Sequence, residues 1–483
     1  MSVLPRSIRA VPTPLIRRGD ADACPGALRL HAAADGPLAR VRLPGGRLTG
    51  RQLRAIRELA EAFGDGHVEL TSRGNLQLRA LTTAPVETLA TRLAAAGLLP
   101  SQTHELVRNI TASPLPPSES SGRLDVRPLT SELDRALCAD PRLASLPGRF
   151  LFALDSGAWD VAPSADVAAV PAAALAGSPL ADASLSTPLV PSSPRPPAHV
   201  PGDGVVDGRP QVGDPVARAG DPVGSTGAEE VAILFAGFDA GLRVAAADVV
   251  GALLAAAHAF LDEQTAQLDA DLAKPERPAW RVRELVDGPG HVAVRTAAAL
   301  GVILGAGRRV PGPGVRAPVG IIGQPGGLVA LGAVVPLGRV SGVQMKVLEE
   351  AEAVVVTPWR GVVLPDLPPS AAESWQQALA DVGLEVRGGS RWSGVTACAG
   401  RPGCAKSLAD VRRDAAAAVL SSDGDEPSLP VHWVGCARGC GSPAGPHVRA
   451  EATGSGYAVR AGGFSGFASA DEAGALVAAA RRG

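Results

Sequence analysis

The sequence lacks an excess of charge of either sign, a long apolar run, and more than a handful of lysines and cysteines. With 46 Lys+Arg against 48 Asp+Glu the net charge is −2. Such a balance draws the chain as a whole neither to nucleic acid nor to an anionic membrane. No stretch reaches the roughly 18–20 uninterrupted apolar residues of a membrane helix. Residues 231–261 come nearest and are broken by Asp239, Arg243 and Asp248. The first twenty residues carry arginines but no apolar core of a secretory signal, so a cytoplasmic location is expected. Six cysteines in 483 residues are too few for a disulfide scaffold. In a reducing compartment, clustered cysteines point instead to metal or catalysis. The only lysines are Lys274, Lys346 and Lys406. Positive charge therefore rests on arginine, whose planar fork grips carboxylates with two parallel donors.

The length predicts two to four domains, and 46% hydrophobic residues supply their cores. Residues 161–228 stand apart. They hold 12 of the 43 prolines and no aromatic residue, cysteine or lysine, which predicts a disordered linker or insertion. The blocks on either side share a repeat, P-x-G-R-x-[ST]-G, at 44–50 and again at 336–342. In each copy a glutamine follows three residues after the Thr or Ser, at Gln52 and Gln344. That spacing predicts a capping box and a helix start. Strand, helix, strand, strand, helix then follows in both copies. Two copies predict duplicated α+β half-domains about a pseudo-two-fold axis with a shared cleft.

Four cysteines fall in one region, Cys398 and Cys404 as C-x5-C, Cys436 and Cys440 as C-x3-C, each pair among glycines and prolines. Four loop thiolates can hold a [4Fe–4S] cluster or a structural zinc. The five-residue gap suits zinc knuckles poorly, and inert core thiols are the plain alternative. The Ala-rich run after Cys404 predicts a helix whose N-terminus lies near the thiolates. Cys24 and Cys138 have no partner in sequence.

C-x5-C with C-x3-C resembles the cluster signature of sulfite and nitrite reductases that pair a [4Fe–4S] cluster with sirohaem. Thr71-Ser72-Arg73-Gly74-Asn75-Leu76-Gln77 resembles that family's T-x-R-x-x-x-Q strand, and 108–114 its R-N-V/I segment. Leu146-Pro147-Gly148-Arg149-Phe150-Leu151 resembles its L-P-x-K-F-K segment. The second lysine there is Leu151 and the first is Arg149, whereas the reductases use two lysines to help hold a small anion over the haem. The segments CPGALRLHAAADGPLARVRLPGG, LTSRGNLQLR, LVRNITASPL, LPGRFLFALDSG and VVPLGRVSG are similar to another branch of the superfamily, the precorrin-3B synthases.

The resemblance implies an α+β fold of duplicated ferredoxin-like half-domains plus cluster-binding α/β domains of the nitrite/sulfite reductase type. The implied division is a tail at 1–25, a first half-domain at 26–115 and the start of an α/β domain at 116–160. The linker at 161–228, the rest of that α/β domain at 229–320, a second half-domain at 321–390 and the cluster domain at 391–483 follow. The implied cluster ligands are Cys398, Cys404, Cys436 and Cys440. The implied substrate residues are Arg73, Gln77, Arg108, Asn109, Arg149 and, through the repeat, Arg360. The implied reaction uses dioxygen to hydroxylate precorrin-3A at C20 with γ-lactone closure. A mononuclear non-haem iron is implied as well, but no two-His, one-carboxylate set stands out among the eight histidines to hold it. The glycine-rich stretches spell no dinucleotide fingerprint, so electrons are expected from a separate reductase with NADH as ultimate donor. The alternatives are a sirohaem-dependent sulfite or nitrite reductase and a zinc-stapled tetrapyrrole-binding protein.

Overall fold

The computed structural model describes residues 25–116, 124–175, 230–269, 278–312, 317–422, 429–443 and 445–482. The chain first forms β1 (His31–Ala33), β2 (Gly36–Val41), β3 (Arg47–Thr49), α1 (Gly50–Phe63), β4 (His67–Leu70), β5 (Leu76–Leu78) and α2 (Val86–Ala95). Next come β6 (Ile110–Ala112), α3 (Val126–Ala139), β7 (Phe152–Leu154), β8 (Val167–Pro171), β9 (Glu230–Phe235), β10 (Phe238–Ala245), α4 (Val249–Asp269) and α5 (Gly288–Leu300). The second half begins with β11 (Gly320–Gly323), β12 (Val329–Val334), β13 (Arg339–Ser341), α6 (Gly342–Leu348), β14 (Ala353–Val356), β15 (Gly361–Leu367) and α7 (Pro369–Asp381). It closes with β16 (Val395–Ala397), α8 (Val411–Leu420), β17 (Val431–Val434), β18 (Val448–Ala452), β19 (Tyr457–Ala461), β20 (Phe464–Ala468) and α9 (Ala473–Arg482).

These strands build four five-stranded sheets, and the second half repeats the first. Sheet I runs β1-β2-β5-β4-β13 and sheet III runs β11-β12-β15-β14-β3. Sheet II runs β10-β9-β8-β7-β6 and sheet IV runs β16-β17-β18-β19-β20. In both II and IV the first three strands are parallel and the last two antiparallel. The expected repeat of strand, helix, strand, strand, helix is present as β3-α1-β4-β5-α2 and β13-α6-β14-β15-α7.

The repeated motif does more than start a helix. β13 pairs with β4 in the first half-domain, and β3 pairs with β14 in the second. Each half-domain thus donates one strand to the other's sheet. Leu48 and Val340 on the exchanged strands enter one core with Val68, Leu70, Leu76, Val354, Val356 and Val362. Both capping boxes form, Thr49 with Gln52 and Ser341 with Gln344. Glu349 beyond α6 takes Arg57 of α1 at 2.9 Å and Arg54 at 3.2 Å, which ties the halves a second time.

Two expected boundaries move. β6 lies within 26–115 but pairs with β7, so the first α/β domain begins at Ile110. The proline-rich stretch does not leave the fold at 161. Residues 167–171 form the buried middle strand β8 of sheet II, because their run of Val and Ala is apolar enough to be covered on both faces. The remainder of the expected linker, 176–228, lies outside the described residues, as do Cys24 and most of the expected tail.

Removing either cap, by Thr49→Ala or Ser341→Ala, should lower stability by about 1 kcal/mol in urea unfolding. Gly46→Ala should cost more than either. Its φ is +69° and an added Cβ would stand 2.0 Å from the Val356 carbonyl, across the exchanged strands.

Candidate functional site

All four clustered cysteines lie beyond the carboxyl ends of the parallel strands of sheet IV, the edge where open α/β sheets bind ligands. Cys398 is the first residue after β16, and Cys404 follows in the same loop. Cys436 and Cys440 follow β17. The Gly435 N–H donates to Cys398 Sγ at 3.2 Å. Burial, and then the charges of the other three cysteines against the pull of Arg438, push the Cys440 thiol above its ordinary pKa. Cys440 thus lies within electrostatic reach of the other three cysteines. Among the described residues no three His, Cys, Asp or Glu side chains surround a single-ion position. A cube of four irons and four sulfides is wider than one ion, so its ligands stand further apart. The donor chemistry fits such a cluster: four thiols, flexible Gly-rich loops and an N–H already aimed at one sulfur. α8 begins at Val411, after the Cys404 loop, and the Asp410 side chain caps it by accepting from the Arg413 N–H.

His432 supports the second loop. It is fully buried on β17, with Nδ1 2.8 Å from Thr396 Oγ1 and Nε2 3.0 Å from the Cys440 carbonyl. A carbonyl only accepts, so Nε2 carries the proton. Burial first, and then the Arg360 charge, push its pKa down to about 3, which keeps the ring neutral. Arg360 reaches in from the second half-domain and donates to the Gly441 carbonyl at 3.1 Å. It adopts φ +60°, in a turn closed by Thr357 as the first half-domain's turn is closed by Thr71. By strand register its counterpart there is Gly74, not Arg73. An arginine held in a left-handed conformation is strained, and here the strain turns the side chain toward the cysteine loops. Burial lowers its pKa, with Glu69 and Cys398 acting the other way.

Glu69 leads from the cysteines to the outer face of sheet I. One row crosses four strands in register: Arg40 (β2), Gln77 (β5), Glu69 (β4) and Arg339 (β13). Arg40 donates to Gln77 Oε1 at 2.9 Å, and Gln77 Nε2 donates to Glu69 at 3.0 Å. Arg412 of α8 also donates to Glu69. Arg360 Nη1, Arg339 Nε and Arg412 Nε are buried donors with no partner among the described residues. Such donors are rare in folded proteins, and here they suit a ligand rich in oxygen. The matching row on sheet III is Gly332, Val363, Val355 and Arg47. Val363 and Val355 there pack with Ala330 against Leu115, so that face is filled.

The expected substrate residues divide. Gln77 and Arg360 stand on this surface. Arg73 donates to the carbonyls of Gly148 and Arg149, and exposed Arg149 stacks on Trp280 with its guanidinium carbon 4.3 Å from the ring centroid. Arg108 does not reach the face. It is 4% exposed and forms a two-pronged pair with Asp134, both bonds 2.7 Å. Buried Asn109 donates to the Leu106 and Gly148 carbonyls, which fixes the loop that Arg73 touches. Leu151 is 3% exposed and packs in a core of sheet II. Arg40, Glu69, Arg79, Arg339 and Arg412 were not anticipated. The alternation Asn75, Gln77, Arg79 against Leu76 and Leu78 marks the polar face of β5 and is the signal that reveals Arg79. Among the described residues no histidine set for a separate iron is formed. His104 sits between Ser101 and the Asp140 carbonyl, and His447 contacts Gly445.

The duplication also supplies a counterpart to the cysteine site. Ser113 follows β6 as Cys398 follows β16, and the two share one bonding pattern. Ser113 N–H donates to Leu154 and Cys398 N–H to Trp433, each on the next strand. Ser156 N–H donates to Ser113 Oγ at 2.9 Å, as Gly435 N–H does to Cys398 Sγ. Here the space is closed by carboxyls. Asp155 accepts four backbone N–H bonds, from Gly157, Trp159, Val161 and Ala162. Ser113 donates to Asp160 at 2.6 Å. Burial, then the charge of Asp155, push Asp160 up to about 7.

Residues 31–96 match the nitrite/sulfite reductase ferredoxin-like half domain. The solved structure of Mycobacterium tuberculosis NirA protein superposes over 91% of this chain and 79% of that one, with a TM-score of 0.65 at 19% identity. Residues 31–96 are thus similar to that half-domain, and the fold of the chain is similar to that of the NirA structure. A ferredoxin–nitrite reductase of Leptolyngbya laminosa is 34% identical over 142 residues, 28% of each chain. A precorrin-3B synthase of Sinorhizobium sp. is 34% identical over 142 residues, 29% of each chain. The matched stretches thus span less than a third of either relative's length.

Asp160 makes a sign-definite prediction. Its folded pKa lies above that of an unfolded aspartate, so its contribution to stability is complete below about pH 4 and is lost as pH rises through about 7. Thermal unfolding across that range should show the loss in the wild type and a flatter profile in Asp160→Asn. Parallel profiles would contradict the assignment.

Proposed function

We propose that the chain is an iron–sulfur oxidoreductase of the precorrin-3B synthase type, which uses dioxygen to hydroxylate precorrin-3A at C20 with γ-lactone closure. The observation that carries this reading is Leu151. The reductases resembled in sequence hold a small anion with two lysines at 149 and 151. Here the second is an apolar side chain packed into sheet II, and the first, Arg149, stacks on Trp280. An inorganic anion would lack half its grip. A tetrapyrrole bearing many carboxylates suits the arginine-rich face of sheet I much better.

Cys398, Cys404, Cys436 and Cys440 would hold a [4Fe–4S] cluster, which supplies single electrons when bound. Arg40, Arg339 and Arg360 would bind acetate and propionate groups, and Gln77 and Glu69 hold Arg40 and Arg412 at the right spacing. The walls of the two half-domains would keep bulk water from the macrocycle. One oxygen atom enters the substrate and the other leaves as water, so two electrons and two protons must come from outside. A separate reductase drawing on NADH fits that need. Activation of O2 would need the mononuclear iron that the resemblance implies, for which the described residues form no ligand set.

The second reading, a sirohaem-dependent nitrite reductase, is kept by the names of several relatives. Anaerobically purified protein separates the two. The expected result is a broad brown absorption shoulder, a dithionite-induced EPR signal and no sirohaem Soret band. Each of Cys398→Ser, Cys404→Ser, Cys436→Ser and Cys440→Ser should bleach that shoulder. A coupled sirohaem band would move the assignment to nitrite or sulfite reduction, and one zinc without sulfide would leave a binding protein.

A further inference from the structure

We propose that Arg79 is a positioning residue that joins the ligand-binding face of sheet I to the loop presenting Cys404, and that the Arg79–Asp35 pair sets the reduction potential of the cluster. The inference rests on the reading of the four cysteines as cluster ligands.

Arg79 follows β5 on the polar side of the strand and is 5% exposed. Its Nε and Nη2 hold Asp35 at 2.9 and 2.8 Å, and Nε lies 3.5 Å from Glu69. Nη2 also donates to the Gly403 carbonyl at 2.7 Å, in a buried bond that crosses from the first half-domain to the cluster domain. Gly403 directly precedes Cys404. A Cβ on Gly403 would stand 3.0 Å from Arg79 Nη2 and 3.2 Å from Asp35 Oδ2, so the loop lies flush on the ion pair. The rest of the loop is held by its own short bonds, Arg401 N–H to Ala409 and Ser407 N–H to Cys404. Arg360 makes the parallel contact from the second half-domain, to the carbonyl of Gly441 next to Cys440. Two arginines from different half-domains thus each grip the peptide beside a ligand cysteine.

Charge and hydrogen bonds around an iron–sulfur cluster govern its potential. Arg79 places a cation against the Cys404 loop, and Asp35 places an anion beside it. Removing either one must shift the potential, and in opposite directions. A purely structural contact would not produce opposite signs. Arg79 is also the side chain that touches both Glu69, within the ligand-binding row, and the cluster loop.

The test is an EPR-monitored redox titration of the full-length protein, after iron and acid-labile sulfide have been counted. Arg79→Gln should lower the potential, since Asp35 and Glu69 lose their counter-charge. Asp35→Asn should raise it, and Arg79→Lys should fall between Arg79→Gln and wild type. A wild-type potential in Arg79→Gln overturns the proposal. If Arg79→Gln does not fold or holds no cluster, Asp35→Asn decides: an upward shift supports the proposal and an unchanged potential overturns it. A wild-type protein without iron and sulfide would remove the cluster reading itself, which the metal count reveals before any titration.

Discussion

β3 and β13 each leave the half-domain that makes them and complete the other's sheet, and the position of the candidate ligand surface follows from that exchange. The swap is driven by apolar burial. Leu48 and Val340 enter the common core from the exchanged strands, and a capped helix follows each strand. The exchange also extends the candidate ligand surface. Arg339 belongs to the second half-domain by sequence, yet it ends the row begun by Arg40 in the first. Arg360, from the turn after β14, then leans over the cysteine loops.

Two copies of one architecture have been put to different uses. On sheet I the outer face carries Arg40, Gln77 and Glu69; on sheet III the same places are Gly332, Val363 and Val355, covered by Leu115. On sheet IV the strand ends present thiols; on sheet II they present Ser113 and a pair of aspartates. In both cases the backbone bonding persists while the side chains change. Among the described residues one arginine-rich candidate ligand surface and one thiol set therefore remain, where an undiverged duplication would have made two of each.

Much of this was legible in the chain. The repeated P-x-G-R-x-[ST]-G with its glutamine gave both helix starts, because capping is local chemistry. The cysteine spacing marked the loops that carry the thiols. The strand exchange was not legible, since a three-residue strand looks the same whichever sheet it joins. Nor was β8, whose Val-Ala run sits within a proline-rich stretch; burial on both faces removes the alternation that signals a strand. Arg108 was read from its motif as a ligand residue, but the choice between a ligand and Asp134, 26 residues on, is made only by the packing of α3. The alternation along β5 marks Arg79 as polar, but its partner in the cysteine loop lies 324 residues away and that of Arg412 343 residues away, far beyond any local pattern.

The exchanged strands have a bearing on how the chain is made. Asp65 and its partner Arg339 are 274 residues apart. At the roughly 5–20 residues per second of synthesis, β4 waits on the order of tens of seconds before β13 emerges to pair with it. During that interval its unpaired edge is a place where another chain can add a strand. The residues beside that edge are not uniformly apolar: His67 and Glu69 alternate with Val68 and Leu70. An acidic side chain in the middle of a waiting edge discourages such pairing, so Glu69, which later anchors Gln77 and Arg412, would first act as a guard on the ribosome-bound half-molecule.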